Sequence, residues 1–118
     1  MPITTTCLAK AAAAVRDFSP LHHDVDLARA AGHPTAFASY SHQLAFLCRA
    51  LGEWFDGDER VRRLKVVMKA SIYLGKTLTC RGVRSAEVVE PGVEVIDLTL
   101  STEDGLCTTA IAEVVSKD

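Results

Sequence analysis

The 118-residue sequence has no run near the ~18 consecutive apolar residues that a membrane-spanning helix requires. Its first ten residues, Met1 to Lys10, lack the basic start and long apolar stretch of a signal peptide, so a cytoplasmic protein is expected. There is no CxxC pair. Cys7, Cys48, Cys80 and Cys107 stand far apart, which argues against a zinc site and for buried free thiols in a reducing compartment. Positive charge is not in excess: 13 Lys and Arg stand against 15 Asp and Glu, a formal net charge of −2, unlike a generic nucleic-acid binder. Internal repeats and low-complexity linkers are missing as well. What remains is one domain, residues 1–118, with an ordinary globular balance of 48% hydrophobic and 24% charged residues.

The charge is unevenly placed. Residues 1–84 carry 12 basic and 7 acidic side chains, and residues 85–118 carry 1 and 8. An anionic ligand is expected to meet the first part.

The first half reads as helical. Thr4, Thr5 and Thr6 offer N-caps to a helix over Leu8–Val15, which Asp17-Phe-Ser-Pro20 interrupts. Asp24 can cap a short helix that ends at Gly32. Ser39 or Ser41 then opens the longest helical pattern, to about Phe55, with Leu44, Leu47, Cys48 and Leu51 at i, i+3, i+4, i+7. The second half is β-branched over Leu64–Ala70, Thr77–Arg84, Val93–Leu100 and Leu106–Val115, divided by Gly75, Pro91-Gly92 and Asp104-Gly105. A slip of the apolar phase between Val95 and Ile96 suggests a β-bulge there. The expected layout is α+β: an antiparallel meander of at least four strands, curved over one long central helix.

One segment carries candidate chemistry: Arg16-Asp-Phe-Ser-Pro-Leu-His-His-Asp24. In a straight helix Asp17 and His22 would lie on different faces, but a Ser-Pro bend can bring them to one point. A carboxylate and an imidazole sharing a water can polarise it and move its proton, which is general acid–base chemistry. The competing structural role is Asp17 capping a turn with His22 on the surface.

This segment resembles the signature of the MaoC-like (R)-specific enoyl-CoA hydratases, Asp-Phe-x-Pro-[Leu/Ile]-His followed closely by Asp. Here it reads Asp17-Phe18-Ser19-Pro20-Leu21-His22, then Asp24. The order of elements, including Gly32-x-Pro34 and the closing strands with Gly75, agrees over nearly the whole chain. The resemblance implies a hotdog fold, a sheet curled around the central helix. It also implies reversible hydration of a trans-2-enoyl thioester to an (R)-3-hydroxyacyl thioester. Asp17 and His22 would be the catalytic pair, with a backbone N–H as oxyanion donor. No cofactor is implied beyond the coenzyme A of the substrate. The family commonly opens its central helix with His-Gly; Ser39-Tyr40 stands here, so these two are assigned to the substrate site. The tract Ala36-Phe-Ala-Ser-Tyr40 looks more like the actinobacterial branch that acts on bulky CoA thioesters, often as half of a heteromeric pair.

His23 reads as an accessory or solvent-facing residue, Asp24 as a helix cap, His42 as a packed or interface histidine, and Trp54 as core or interface. Arg60, Arg62, Arg63, Lys65 and Lys69 form the densest basic run. They would either solvate an edge strand or, through Arg62 and Arg63, meet the phosphates of coenzyme A or of a carrier-protein arm. An edge left open by a curved sheet predicts a homodimer or a heteromer with a second hotdog chain. Competing readings are a carrier-protein-dependent dehydratase, a hotdog thioesterase and a non-catalytic subunit. Residues 39–52 contain no Asp or Glu, which weighs against the thioesterase, and the presence of both Asp17 and His22 weighs against the inert subunit.

Overall fold

The computed structural model describes every residue except Asp58, Val88, Lys117 and Asp118. Among the described residues three α-helices precede four strands. Helix α1 is Thr5–Ala14, α2 is Val25–Ala30 and the central α3 is Tyr40–Trp54. The strands are β1 Glu59–Met68, β2 Thr79–Arg84, β3 Val93–Thr102 and β4 Gly105–Ser116.

Short polar side chains set the helix starts. Thr4 accepts from the Cys7 N–H at 3.1 Å, Asp24 from Leu27 at 3.1 Å and Ser39 from His42 at 3.2 Å. Each meets one amide that the first turn leaves without a partner. Helix α1 ends with Arg16 in the left-handed region, φ 56°. There the Arg16 N–H returns to Ala13 O at 3.2 Å and the Asp17 N–H to Ala12 O at 2.9 Å. This is the double closure that glycine commonly makes, and Arg16 makes it immediately before Asp17.

The antiparallel sheet has the order β1-β4-β3-β2. Only β2, β3 and β4 form a meander; β1 lies on the far side of β4, so the expected four-strand meander is corrected in its connectivity. Strand β1 also starts at Glu59 rather than Leu64, because its arginine-rich opening pairs with the end of β4. The N-terminus adds a short extended segment: Ile3 N–H donates to Lys76 O and Leu78 N–H to Met1 O, at 2.8 and 2.7 Å.

The expected bulge at Val95/Ile96 is not there. Register is continuous from Val93↔Val115 to Leu100↔Thr108 and shifts only between Leu100 and Ser101, with a second shift between Val61 and Arg63. Val95 and Ile96 are both buried because both faces of the sheet are covered at that point. Ile96, Leu98 and Leu100 point to the core with Leu47 and Leu51 of α3. Val95 takes the opposite face, where Glu87, Val89, Ile111 and Glu113 gather around it.

Trp54, half-exposed at the end of α3, lies over Gly82 of β2, where an added Cβ would stand 2.2 Å from the indole Cζ3. A glycine inside a strand marks such a close approach. The thiols are free: Cys107 is buried and Cys7 and Cys80 half-buried, but Cys48 is exposed, against the expectation of burial, because it sits on the outward face of α3.

Candidate active site

Ser19-Pro20 starts a single 3-10 turn over Pro20–His22, between α1 and α2. Proline fixes its own φ and has no N–H to leave unpaired, which suits the first position of such a turn. The turn carries His22 back over Asp17. Nε2 of His22 lies 3.3 Å from Oδ2 of Asp17, and the other Asp17 oxygen accepts from the Ser19 N–H at 3.3 Å.

The imidazole is held from its far side. Nδ1 of His22 donates to the carbonyl of Phe37 at 2.9 Å, while the Phe37 N–H donates to Leu21 O at 3.3 Å. A carbonyl only accepts, so Nδ1 carries a proton and Nε2 is the atom free to exchange one with Asp17 or a water. Phe37 itself is fixed by a bridge to Tyr73, by Ala38 N–H to Ile72 O at 2.9 Å and by Leu74 N–H to Ala36 O at 2.9 Å. Its ring meets His22 edge-on at 5.2 Å and His33 at 4.5 Å, and His33 Nδ1 lies 3.2 Å from the Tyr73 hydroxyl. His22 is nearly buried, whereas the Asp17 side chain keeps 39% of its surface exposed, so small molecules reach the pair from the Asp17 side.

Ser39 is buried, its Oγ engaged by the His42 N–H; Tyr40 is half-exposed and lines a cleft with Phe37, Gln43, Met68, Lys69 and Ser71. This cleft adjoins the pair through Phe37. The first-turn amides of Tyr40 and Ser41 have no intrahelical acceptor and stand at the positive end of the α3 dipole.

Arg62 and Arg63 stand elsewhere. Arg62, at the β1 bulge, donates to Glu113 through Nε at 3.2 Å and Nη2 at 2.6 Å and also pairs with Glu90. Arg63 Nη1 is 3.8 Å from the second Glu113 oxygen. Among the described residues no contact joins either arginine to Asp17 or His22. Lys69, beyond the end of β1, is the member of the basic run that reaches the Tyr40 cleft. His23 is exposed and Asp24 caps α2, as expected. The Phe37 carbonyl could not be picked out beforehand, since a backbone anchor has no side-chain signature.

His42 packs as expected, stacked on Phe46 at 4.8 Å with Nε2 3.7 Å from the Cys7 sulfur. Among the described residues its Nδ1 is sealed without a partner. Burial, and secondarily repulsion from His22, push its imidazole below the ordinary value of 6.5. The unfolded chain therefore binds a proton that the folded chain resists, and stability rises with pH over that range. Wild type is expected to lose stability as pH falls below about 6.5, with His42→Leu showing a shallower loss. Urea unfolding at several pH values checks this; equal slopes would contradict it.

Among the described residues no three His, Cys, Asp or Glu side chains converge as metal ligands, and no helix is long and apolar enough to cross a membrane. The sequence matches no protein-family model and no curated protein. Solved structures do share its architecture. A chain of the ChsH1-ChsH2 complex from Mycobacterium tuberculosis superposes with a TM-score of 0.93 at 22% identity, over 99% of this chain and 91% of that one. The (R)-hydratase from A. caviae involved in PHA biosynthesis gives 0.89 at 19% identity, over 98% and 89%. The R-hydratase PhaJ1 from Pseudomonas aeruginosa gives 0.88 at 15%, over 98% and 76%. At such identities the likeness speaks for architecture, and the chain has the hotdog fold.

Proposed function

We propose that this chain catalyses reversible hydration of trans-2-enoyl thioesters to (R)-3-hydroxyacyl thioesters, with coenzyme A as the carrier. The observation that carries the reading is the 3.3 Å approach of His22 Nε2 to Asp17 Oδ2, with Nδ1 anchored on the Phe37 carbonyl. Two structural neighbours bear the name of (R)-hydratase, which supports the same chemistry. In the reaction, water held by the pair gives its oxygen to C3 of the enoyl group while one proton passes to the pair. That proton returns to C2. Negative charge gathers on the thioester oxygen between the two steps, and the Tyr40 and Ser41 amides are the donors offered to it. Asp17 and His22 act as one coupled unit, so acid and base are not divided between them.

Arg63 is proposed as the coenzyme-phosphate contact, with Lys69 at the cleft; Arg62 is committed to Glu113 and Glu90. Strand β1 has β4 on one side and, among the described residues, no strand on the other. This open edge supports pairing with a second hotdog chain, identical or not, and one neighbour is a chain of a two-protein complex. The bulky-substrate branch remains part of the proposal through the Ala36–Tyr40 tract.

The test is direct. Crotonyl-CoA, a long-chain enoyl-CoA and a steroid enoyl-CoA are incubated with the protein, and loss of enoyl absorbance is followed. Hydration of at least one supports the reading, with Arg63→Ala raising KM while kcat holds. No loss of absorbance with any of the three would sink it.

A further inference from the structure

The cleft beside the catalytic pair, about 410 Å³, holds a polar feature that a hydrocarbon substrate does not use. Gln43 of α3 lines it and is only 3% exposed, and behind it stands Thr108 of β4, fully buried at 0%. The Thr108 hydroxyl donates to Gln43 Oε1 at 2.5 Å. This bond turns the oxygen of the amide toward Thr108. The amide nitrogen, with two N–H donors, then points away from the strand. It has no hydrogen-bond partner among the described residues. The one fully sealed, unpartnered side-chain polar atom among them is His42 Nδ1. The Gln43 nitrogen is therefore on the accessible wall of the cleft.

Its place along the helix matters. Gln43 follows Tyr40 by three residues, so the backbone that carries its donors has advanced about 4.5 Å along the axis from the first of the amides offered to the thioester oxygen. An acyl chain entering the cleft passes them a few carbons beyond C1.

We infer that Gln43 is a specificity-determining residue whose amide donates to an oxygen on the acyl chain, making oxo-acyl thioesters the preferred ligand class. This rests on the hydratase reading for the placement of the thioester. Thr108 is the positioning residue, since its hydroxyl holds the carboxamide in this orientation. A site that presents fixed donors discriminates strongly against a ligand lacking the acceptor, because the donors lose water and gain nothing. The expected preference is about 10–100-fold.

The experiment compares two unreactive ligands of equal chain length, hexanoyl-CoA and 5-oxohexanoyl-CoA, by calorimetry on the full chain. Wild type should bind the oxo ligand more tightly by that factor. Gln43→Leu should bring the ratio of the two affinities close to one, and Thr108→Val should reduce it by freeing the amide to turn. Gln43→Met, closer in shape, takes the place of Gln43→Leu if that variant does not fold. Equal affinities in wild type, binding of neither ligand, or an unchanged ratio in the Gln43 variant overturns the inference. Hydration of crotonyl-CoA by wild type is measured in parallel. Its absence counts against the hydratase reading, and the affinity ratio still decides the role of Gln43.

Discussion

Asp17→Asn and His22→Ala are each expected to lower the kcat for enoyl-thioester hydration by ~10²–10⁴-fold, or roughly 3–5 kcal/mol of barrier. Water is a poor nucleophile at neutral pH, and the enoyl group accumulates charge only as attack proceeds. The two groups at 3.3 Å supply the proton transfer that water alone performs badly. Asp17→Asn keeps the shape and the bond from the Ser19 N–H while removing the carboxylate. His22→Ala also strands the Phe37 carbonyl, costing about 1–3 kcal/mol of stability, so its fold is verified by circular dichroism. Because both groups act on one water, the double variant should lose far less than the product of the singles. Exposed His23, replaced by alanine, should have a mild effect. Folded single variants that hydrate at near wild-type rates would show that the Asp17–His22 geometry is not used for this chemistry.

The largest effect on stability is expected at Leu47. This side chain is fully buried where α3 meets the inward faces of β3 and β4, among Leu98, Leu100 and Ala110. Leu47→Ala removes the transfer free energy of its methyl groups and leaves a cavity between rigid elements, at a cost of about 2–5 kcal/mol. Total stabilities of such domains are about 5–15 kcal/mol, so Tm should fall by roughly 10 °C. On the outward face of the same helix, Cys48→Ser should change stability by no more than about 0.5 kcal/mol. Thermal denaturation followed by circular dichroism compares them, and equal shifts would contradict the assigned faces.

The sequence made local chemistry readable where one residue type has one strong use. Asp24 announced its cap, and Ser39 or Ser41 that of α3; the proline bend left Asp17 open to capping a turn or to meeting His22, and the likeness to the hydratase signature pointed to the meeting. Long-range pairing was less accessible. The first strand's start was hidden because Arg60, Arg62 and Arg63 read as solvated charge, whereas Arg62 closes on Glu113 across the sheet. The Val95/Ile96 phase slip was ambiguous, since a bulge and a strand covered on both faces leave the same apolar pattern. The true irregularities fall between Val61 and Arg63, where the odd spacing of core-facing Val61 and Leu64 is legible only once the strand is known to start at Glu59, and between Leu100 and Ser101, where polar residues leave no apolar mark. Gln43 and Thr108 are far apart in the chain and individually unremarkable, so nothing short of the fold joins them.

Trp54 is the chain's single tryptophan, and it rests on the bare backbone of Gly82. The molecule thus carries its own optical reporter. Indole emission depends on how much water touches the ring, and here that is governed by the seating of the last turn of α3 on the outermost strand of the meander. The signal follows the docking of that helix end and is remote from the proton chemistry at the helix's other end. Denaturant titrations and mixing with a candidate partner chain can both be read from the unlabelled wild-type protein, separately from turnover.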